Sequence, residues 1–461
     1  MAGFHIENFG CRAARADGEA IGQSLMAAGL TAADQQPLDA DVLIVNTCSV
    51  TAEADRAARA FIRRAHRQNP GARIVVTGCY AQRAPQELAE IGGVSAVVGN
   101  SHKALAPEIV LGLLKNEPAS QKAEADVVSI ASLLAGGMRV FADDRFAHSL
   151  IEEAPLAPGG QTRPNLKIQE GCNNRCTFCV IPWTRGSSKS LPAAGVMRQV
   201  EGFVAAGGNE LVLSGINLGR WGRDLPEKLT FAGLVREILI KTPLPRLRLS
   251  SVEPMDWDDE LIALMREFGG TRLARHAHLP MQSGSDAVLR RMHRRYRPWH
   301  YAQKAEALLK AAGAALTLGA DVMAGFPGET DAEFEETISF IRELPFGYLH
   351  LFPFSPRPGT RGWTLHAENP VPAPVLEDRM AALRALAASK VRAHRAQFIG
   401  RELDAITLRS PQTLAARGLA AALTENFLPV EMEGLHQANR MVRVRATGLS
   451  PDLALRAPAL A

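Results

Sequence analysis

The sequence predicts an α/β protein in three parts. Residues 1–110 form a parallel α/β domain, 111–162 a linker, 163–397 an open six-stranded βα barrel, and 398–461 a small β-barrel. Three observations carry this. Up to about residue 105, short apolar runs alternate with amphipathic helical stretches, the order that parallel sheets with helical crossovers require. Six further strand signals follow the linker, most of them leading into a helical pattern. Beyond Glu402 the text turns to short alternating stretches without helical period.

A chain of 461 residues is too long for one ordinary core, and an apolar fraction of 46% is ample for two or three. The 52 basic residues nearly balance the 48 acidic ones, so a nucleic-acid partner would have to be met by local patches. No run of about 18 uncharged apolar residues suits a membrane span, and residues 1–7 lack the features of a secretory signal. The expected location is the cytoplasm. Thiols stay reduced there, so the six cysteines read as ligands, nucleophiles or core residues rather than as disulfides.

Within the first domain, residues 4–9, 42–46, 73–77 and 94–98 read as strands; 18–28, 52–67 and a short stretch after Pro85 read as helices. Cys11, Cys48 and Cys79 each follow one of the first three strands. Open α/β sheets hold ligands outside the carboxyl ends of their strands, so the three thiols are expected on one edge. Any single one would pass as a buried apolar cysteine; three in the same topological position point to a three-thiolate cluster site. The intervening helix carries Arg56, Arg59, Arg63 and Arg67 on one face, with Arg64 beside them. Such a face is either merely solvated or in contact with phosphates.

In the middle domain the strands are 165–169, 210–214, 246–250, 276–280, 316–323 and 348–352, with helices at 192–206, 231–240 and 331–343. Their ends are polar or glycine-rich, as in Ser214-Gly215-Ile216-Asn217, Ser250-Ser251-Val252-Glu253, Gln282-Ser283-Gly284-Ser285 and Gly325-Phe326-Pro327-Gly328-Glu329. Barrels of this kind place their chemistry at those ends. The first strand leads directly into Gly171-Cys172-Asn173-Asn174-Arg175-Cys176-Thr177-Phe178-Cys179. Thiolates are soft ligands for zinc or iron–sulfur clusters, and a lone trio leaves a four-site metal or cluster one protein ligand short. With a four-iron cluster, the uncapped iron would be open to a substrate or cofactor. A structural zinc would want a fourth Cys or His close by, and the nearest histidines are His148 and His276.

CxxxCxxC with aromatic Phe178 before the last cysteine resembles the signature of radical S-adenosylmethionine (SAM) enzymes. Asn46-Thr47-Cys48, Thr77-Gly78-Cys79-Tyr80-Ala81-Gln82, Gln169-Glu170-Gly171-Cys172 and Leu279-Pro280-Met281-Gln282-Ser283-Gly284-Ser285 extend the resemblance to the methylthiotransferases of that superfamily. It implies an N-terminal cluster-binding domain, a radical-SAM partial barrel and a C-terminal TRAM domain. It implies two [4Fe-4S] clusters, one on Cys172, Cys176 and Cys179 in the catalytic role, the other on Cys11, Cys48 and Cys79 as sulfur source. SAM bound at the open iron would yield a 5'-deoxyadenosyl radical that abstracts an inert hydrogen, and a second SAM would methylate the sulfur. A ring C–H bond has neither leaving group nor acidic proton, so acid–base catalysis alone has nothing to grip. For SAM contacts the candidates are Gly207, Gly208, Asn209, Glu210, Ser250, Glu253 and Gln282. A low-potential electron donor is implied as a partner; the sequence names neither it nor the oligomeric state.

Residues 372–398 read as one long helix, and the β module beyond it is similar in place and length to TRAM, whose link to RNA comes with the resemblance. Arg443 and Arg445 share a strand face there. A denser basic run, Arg290-Arg291-Met292-His293-Arg294-Arg295-Tyr296-Arg297, reads equally as a solvated helix end or as a nucleic-acid contact. The stretches 51–59, 216–222 and 249–254 most resemble the branch converting N6-threonylcarbamoyladenosine (t6A) at position 37 of tRNA to its 2-methylthio derivative. Alternatives are the isopentenyladenosine (i6A) branch, the ribosomal-protein aspartate branch, and an RNA-binding iron–sulfur sensor without turnover. One departure stands out: Ala14 occupies a position where the family usually has Asn, and Gly18 one where it has Ser or Thr, which bears on hydrogen bonding near Cys11.

Overall fold

Val42–Thr47 is buried at every position, as a central strand covered on both faces must be. Its side chains alternate between two cores. Leu43 and Val45 pack with Phe61, Ile62 and Ala65 of helix Ala52–Gln68, while Val42 and Ile44 pack with Ile21 and Leu25 of helix Arg12–Ala27 and with Ile109 and Val110 of helix Ala106–Lys115. The sheet is parallel throughout, in the order Thr31–Ala32, Gly3–Asn8, Val42–Thr47, Arg73–Gly78, Val94–Gly99, Val140–Phe141. The first three strands of the sequence reading are therefore immediate neighbours, about 4.8 Å apart.

The structure is a computed structural model that describes residues 2–33, 39–115, 137, 139–146, 151 and 162–458; most of the linker expected at 111–162 lies outside the described residues. The chain divides into two compact units. One comprises 1–154, 170–189 and 355–360; the other comprises 155–169, 190–354 and 361–461.

The first helix begins at Arg12, six residues ahead of the expected start at Gly18, with Cys11 as its N-cap. Gly18 reads locally as a boundary but lies inside the helix. A Cβ there would come 2.2 Å from Asn8 Oδ1, so the space is taken by a side chain of the adjoining strand.

In the second unit, six parallel strands follow one another as the βα repeat predicts. Asn165–Glu170, Glu210–Gly215 and Arg246–Leu249 are neighbours, as are His276–His278, Thr317–Ala324 and Phe346–Pro353. A parallel bridge between Ser251 and His278 and the bond Val252 N–H to His278 O (3.1 Å) connect the two trios of strands. After helix Ala373–Ala396 comes a six-stranded, mostly antiparallel sheet. Its edge strands, Met441–Arg445 and Gly448–Leu449, are only two residues apart in sequence. A sheet whose two edges are joined so closely has to curl, which gives the small barrel-like module expected here.

Glu210 opens its strand as the one acid among Arg163, Arg246 and Arg248, at 3.3, 3.3 and 2.8 Å. Burial alone would raise its carboxyl, but Arg248, Arg163 and Arg246 hold it below the ordinary 4.5. Removing one member of such a buried cluster leaves charge uncompensated. Glu210→Ala is expected to cost about 3–5 kcal/mol of stability in urea unfolding. In the wild type, this carboxylate's contribution is complete above pH 4.5 and is lost as pH falls through its lowered folded value; Glu210→Gln should remove that part of the acid dependence.

Candidate functional site

Cys11, Cys48 and Cys79 all emerge at the carboxyl edge of the first sheet, each by a different local device. Cys11 caps the first helix. Cys48 lies in the turn before Thr51, whose side chain accepts from Ala54 N–H and starts the next helix. Cys79 opens the helix Cys79–Arg83 directly after Gly78. Gly78 has φ +97°, and a Cβ there would lie 2.3 Å from Thr47 O, so only glycine permits this abrupt strand-to-helix change. Gly10 serves the trio in the same way: a Cβ would stand 2.5 Å from Cys48 Cβ and 2.8 Å from its sulfur, filling the space beside the thiol.

The electrostatics of the trio centre on Arg185, which the sequence reading missed. It is fully buried, 106 residues from Cys79 in sequence, and its Nε lies 3.3 Å from Cys79 Sγ. Its Nη1 donates to Asp17 Oδ2 at 2.9 Å and to Glu170 Oε1 at 2.5 Å. Lys103 binds the same two carboxylates, and Asn100 Nδ2 reaches Cys79 Sγ at 3.5 Å. Burial opposes charge on Arg185, but Cys79, Asp17, Glu170 and Cys11 together keep it a cation. Cys48 feels the opposite balance: burial first, then the neighbouring Cys79 and Cys11 thiolates, push its pKa up to about 12. Deprotonating all three together would set like charges against one another, a cost that a cationic occupant would offset.

Cys172, Cys176 and Cys179 lie in the loop that follows Asn165–Glu170, and all three are partly exposed. Gly171 turns the chain at φ +69°; a Cβ there would lie 2.0 Å from Ser187 O. The loop is held by Cys172 N–H to Gly186 O (3.1 Å), Asn174 N–H to Cys172 Sγ (3.4 Å) and Cys179 N–H to Cys176 O (3.1 Å). This loop belongs to the same compact unit as the first trio. Glu170, immediately before it, and Arg185, shortly after it, carry its ends into the ion network at Cys79. A second pair of arginines holds the Cys48 turn: Arg83 reaches Ser49 Oγ at 2.7 Å and Asp55 at 2.8 Å, and Arg357 binds the same two residues.

The departure at Ala14 and Gly18 has a physical answer. Asn46 donates to the Ala14 carbonyl and to Asn8 Oδ1, the latter at 2.9 Å. With glycine at 18, the Asn8 side chain fits against the helix and accepts from Asn46.

The SAM candidates separate into two groups. Ser250, Glu253 and Gln282 lie beyond the carboxyl ends of their strands. Gln282 is the most distinctive: it is buried, has φ +61°, which few non-glycine residues adopt, and its Oε1 has no hydrogen-bond partner. Glu253 pairs with buried Arg294. Gly207, Gly208 and Glu210, by contrast, lie at the amino end of strand Glu210–Gly215. Gly207 and Gly208 cap the preceding helix through bonds to Val204 O and Phe203 O (both 2.9 Å), and Glu210 is enclosed by arginines. These three lie at the end of their strand opposite to the carboxyl end and already serve the helix cap and the arginine cluster. Asn209, next to them, bonds Asn439 O at 2.8 Å.

The basic run at 290–297 also resolves. Arg290 and Arg297 pair with Asp286, Arg291 with Glu333 and Arg294 with Glu253; Arg295 is exposed. On the helix Ala52–Gln68, Arg59 is tied to Tyr80 and Glu87, whereas Arg56, Arg63, Arg64 and Arg67 are exposed.

Two family models match the chain: UPF0004, an uncharacterized protein family, over residues 3–99, and the Radical SAM superfamily over 166–341. Threonylcarbamoyladenosine tRNA methylthiotransferase MtaB of Bacillus subtilis is 36% identical over 449 residues, covering 96% of this chain and 94% of the relative. The chain belongs to the radical SAM tRNA methylthiotransferase family. A tRNA-2-methylthio-N(6)-dimethylallyladenosine synthase of Erythrobacter litoralis is 33% identical, over 88% of this chain and 86% of its own. The radical SAM methyltransferase TsrM of Kitasatospora setae shares the fold at TM-score 0.56 and 15% identity, over 77% of this chain and 75% of its own. Membership implies two [4Fe-4S] clusters and SAM, and the residues fit: two sets of soft thiolates, three in each, one of them with the space that Gly10 leaves open and a buried cation beside it.

Arg185→Met is expected to leave Asp17, Glu170 and Lys103 unbalanced and to lower the reduction potential of the N-terminal methylthiotransferase cluster, because a buried positive charge beside its ligand is lost. Protein-film voltammetry or a redox titration followed by electron paramagnetic resonance reads the shift; Arg185→Lys should restore part of it.

Proposed function

We propose that this methylthiotransferase adds a methylthio group to C2 of N6-threonylcarbamoyladenosine at position 37 of tRNA. The observation that carries the chemistry is the presence of both cysteine trios in one compact unit, linked through Glu170, Arg185 and Cys79. The substrate reading is supported by relatives bearing the t6A name in Bacillus subtilis, Aquifex aeolicus and Rickettsia prowazekii, each covering at least 95% of this chain.

In this reading Cys172, Cys176 and Cys179 would hold the cluster at the end of the first barrel strand and leave one iron to SAM. Cys11, Cys48 and Cys79 would hold the other. When bound, the clusters and SAM supply the one-electron chemistry and the sulfur that no side chain can provide. The chain's own residues supply placement and charge. Gly78 and Gly171 set the turns that present the cysteines; Arg185 and Asn100 donate to the Cys79 sulfur; Ser250, Glu253 and Gln282 would contact SAM. Exposed Arg56, Arg63 and Arg67, together with Arg443 and Arg445 on one strand face, would meet tRNA phosphates. Among the described residues no helix is long and apolar enough to cross a membrane. The enzyme would act in the cytoplasm and draw on a low-potential electron donor.

Nucleoside mass spectrometry of tRNA from a deletion strain tests the substrate. Selective loss of 2-methylthio-t6A is expected; loss of 2-methylthio-i6A would move the assignment to the isopentenyl branch, and unchanged tRNA would overturn both. Purified protein reduced anaerobically with SAM should form 5'-deoxyadenosine, whereas Cys176→Ala should form none; an RNA-binding sensor would form none in either case.

A further inference from the structure

The second unit, which contains none of the six cysteines, holds three side chains arranged as metal ligands are. His278 ends strand His276–His278, Asp321 lies within Thr317–Ala324, and His350 within Phe346–Pro353. These strands are parallel neighbours. His278 pairs with Gly319, two residues before Asp321, and Asp321 pairs directly with His350. Residues two apart on a strand share a face, so the register alone brings the three together. Asp321 Oδ1 lies 3.2 Å from His278 Nε2 and 3.3 Å from His350 Nδ1, and the three ligand atoms are all within 4.8 Å of one another. A metal bonded to such atoms at about 2.0–2.2 Å spaces adjacent ligands by roughly 3–3.5 Å.

A second feature supports the arrangement. The Tyr348 hydroxyl lies 2.9 Å from His278 Nδ1 and 2.7 Å from His276 Nε2. When Tyr348 donates to His276 and accepts from His278 Nδ1–H, the lone pair of His278 is left on Nε2, toward Asp321. Metal-ligating histidines are oriented by a partner on the other ring nitrogen in this way. Gly319 makes room for it, since a Cβ there would lie 2.1 Å from Tyr348 Cζ. The His350 side chain is 60% exposed and that of Asp321 26%, so an ion can reach the group.

We propose that His278, Asp321 and His350 form a binding site for a first-row divalent transition metal such as zinc or ferrous iron, with at least one coordination position open. Two imidazoles and a carboxylate suit these ions, and three protein ligands leave a place for water or a substrate oxygen. The site is chemically separate from the cysteine trios, whose all-sulfur donors favour softer occupants. It does not depend on which adenosine the enzyme modifies.

Cobalt(II) serves as the probe. Full-length protein with both clusters assembled anaerobically, then desalted, is titrated with Co(II). Expected is uptake of a single equivalent whose visible spectrum shows nitrogen and oxygen ligation without a thiolate-to-cobalt charge-transfer band. His350→Ala and Asp321→Asn should abolish that uptake, and Tyr348→Phe should weaken it about 10-fold, while unchanged iron content shows that each variant has folded. Absence of cobalt uptake, uptake with a thiolate band alone, or uptake unaffected by His350→Ala would each overturn the proposal.

Discussion

A guanidinium sealed from water is the constraint on which the first unit depends. Arg185 can be buried only if negative charge is already in place around it, and Cys79, Asp17 and Glu170 supply that charge from three separate stretches of chain. The requirement is mutual. Asp17 and Glu170 would be costly to bury without Arg185 and Lys103. Because Glu170 and Arg185 bracket the Cys172–Cys179 loop, satisfying this one charge balance also fixes where that loop begins and ends.

Around that network the sheet does geometric work. Adjacent parallel strands deliver three cysteines to one edge, and glycines at 10, 78 and 171 remove the Cβ atoms that would close the thiol space or block the turns. Arg83 and Arg357, both on Ser49 and Asp55, hold the turn between Cys48 and its helix. The second unit repeats the logic with different side chains. Its strand starts are occupied by the Glu210 cluster, which has a stabilising role, while its strand ends keep Gln282 in a strained backbone conformation with an unpartnered buried oxygen. Backbone strain at the ends and a buried ion cluster at the starts agree with the division of labour known for βα barrels.

Much of this was legible in the sequence, because periodicity and cysteine spacing are local signals. The apolar run at 42–46, the βα repeat after the linker and CxxxCxxC can each be read without knowing what lies across the fold. Where local signals misled, the reason was also local. Gly18 looked like a helix boundary because glycine weakens a helix, yet the space it leaves is filled by Asn8. Gly207-Gly208 reads locally as a loop, and in the fold the pair ends a helix ahead of the amino end of the next strand. The arginines at 290–297 read equally as a solvated helix end or a nucleic-acid contact, and the fold matches four of them to acids on the same unit.

By itself the sequence determined the class of the protein, the two cysteine trios and the sheet edge on which one of them lies, since strand order and crossover length follow from short-range pattern. Only the tertiary structure decided which charges stand beside those thiolates. Asp17 and Arg185 are 168 residues apart, and nothing in either neighbourhood announces the other. Their pairing is set by which side chains the packed sheet excludes from water, and an excluded charge takes whatever counter-charge the fold brings within reach. The same holds for His278, Asp321 and His350, scattered in sequence and united by strand register alone.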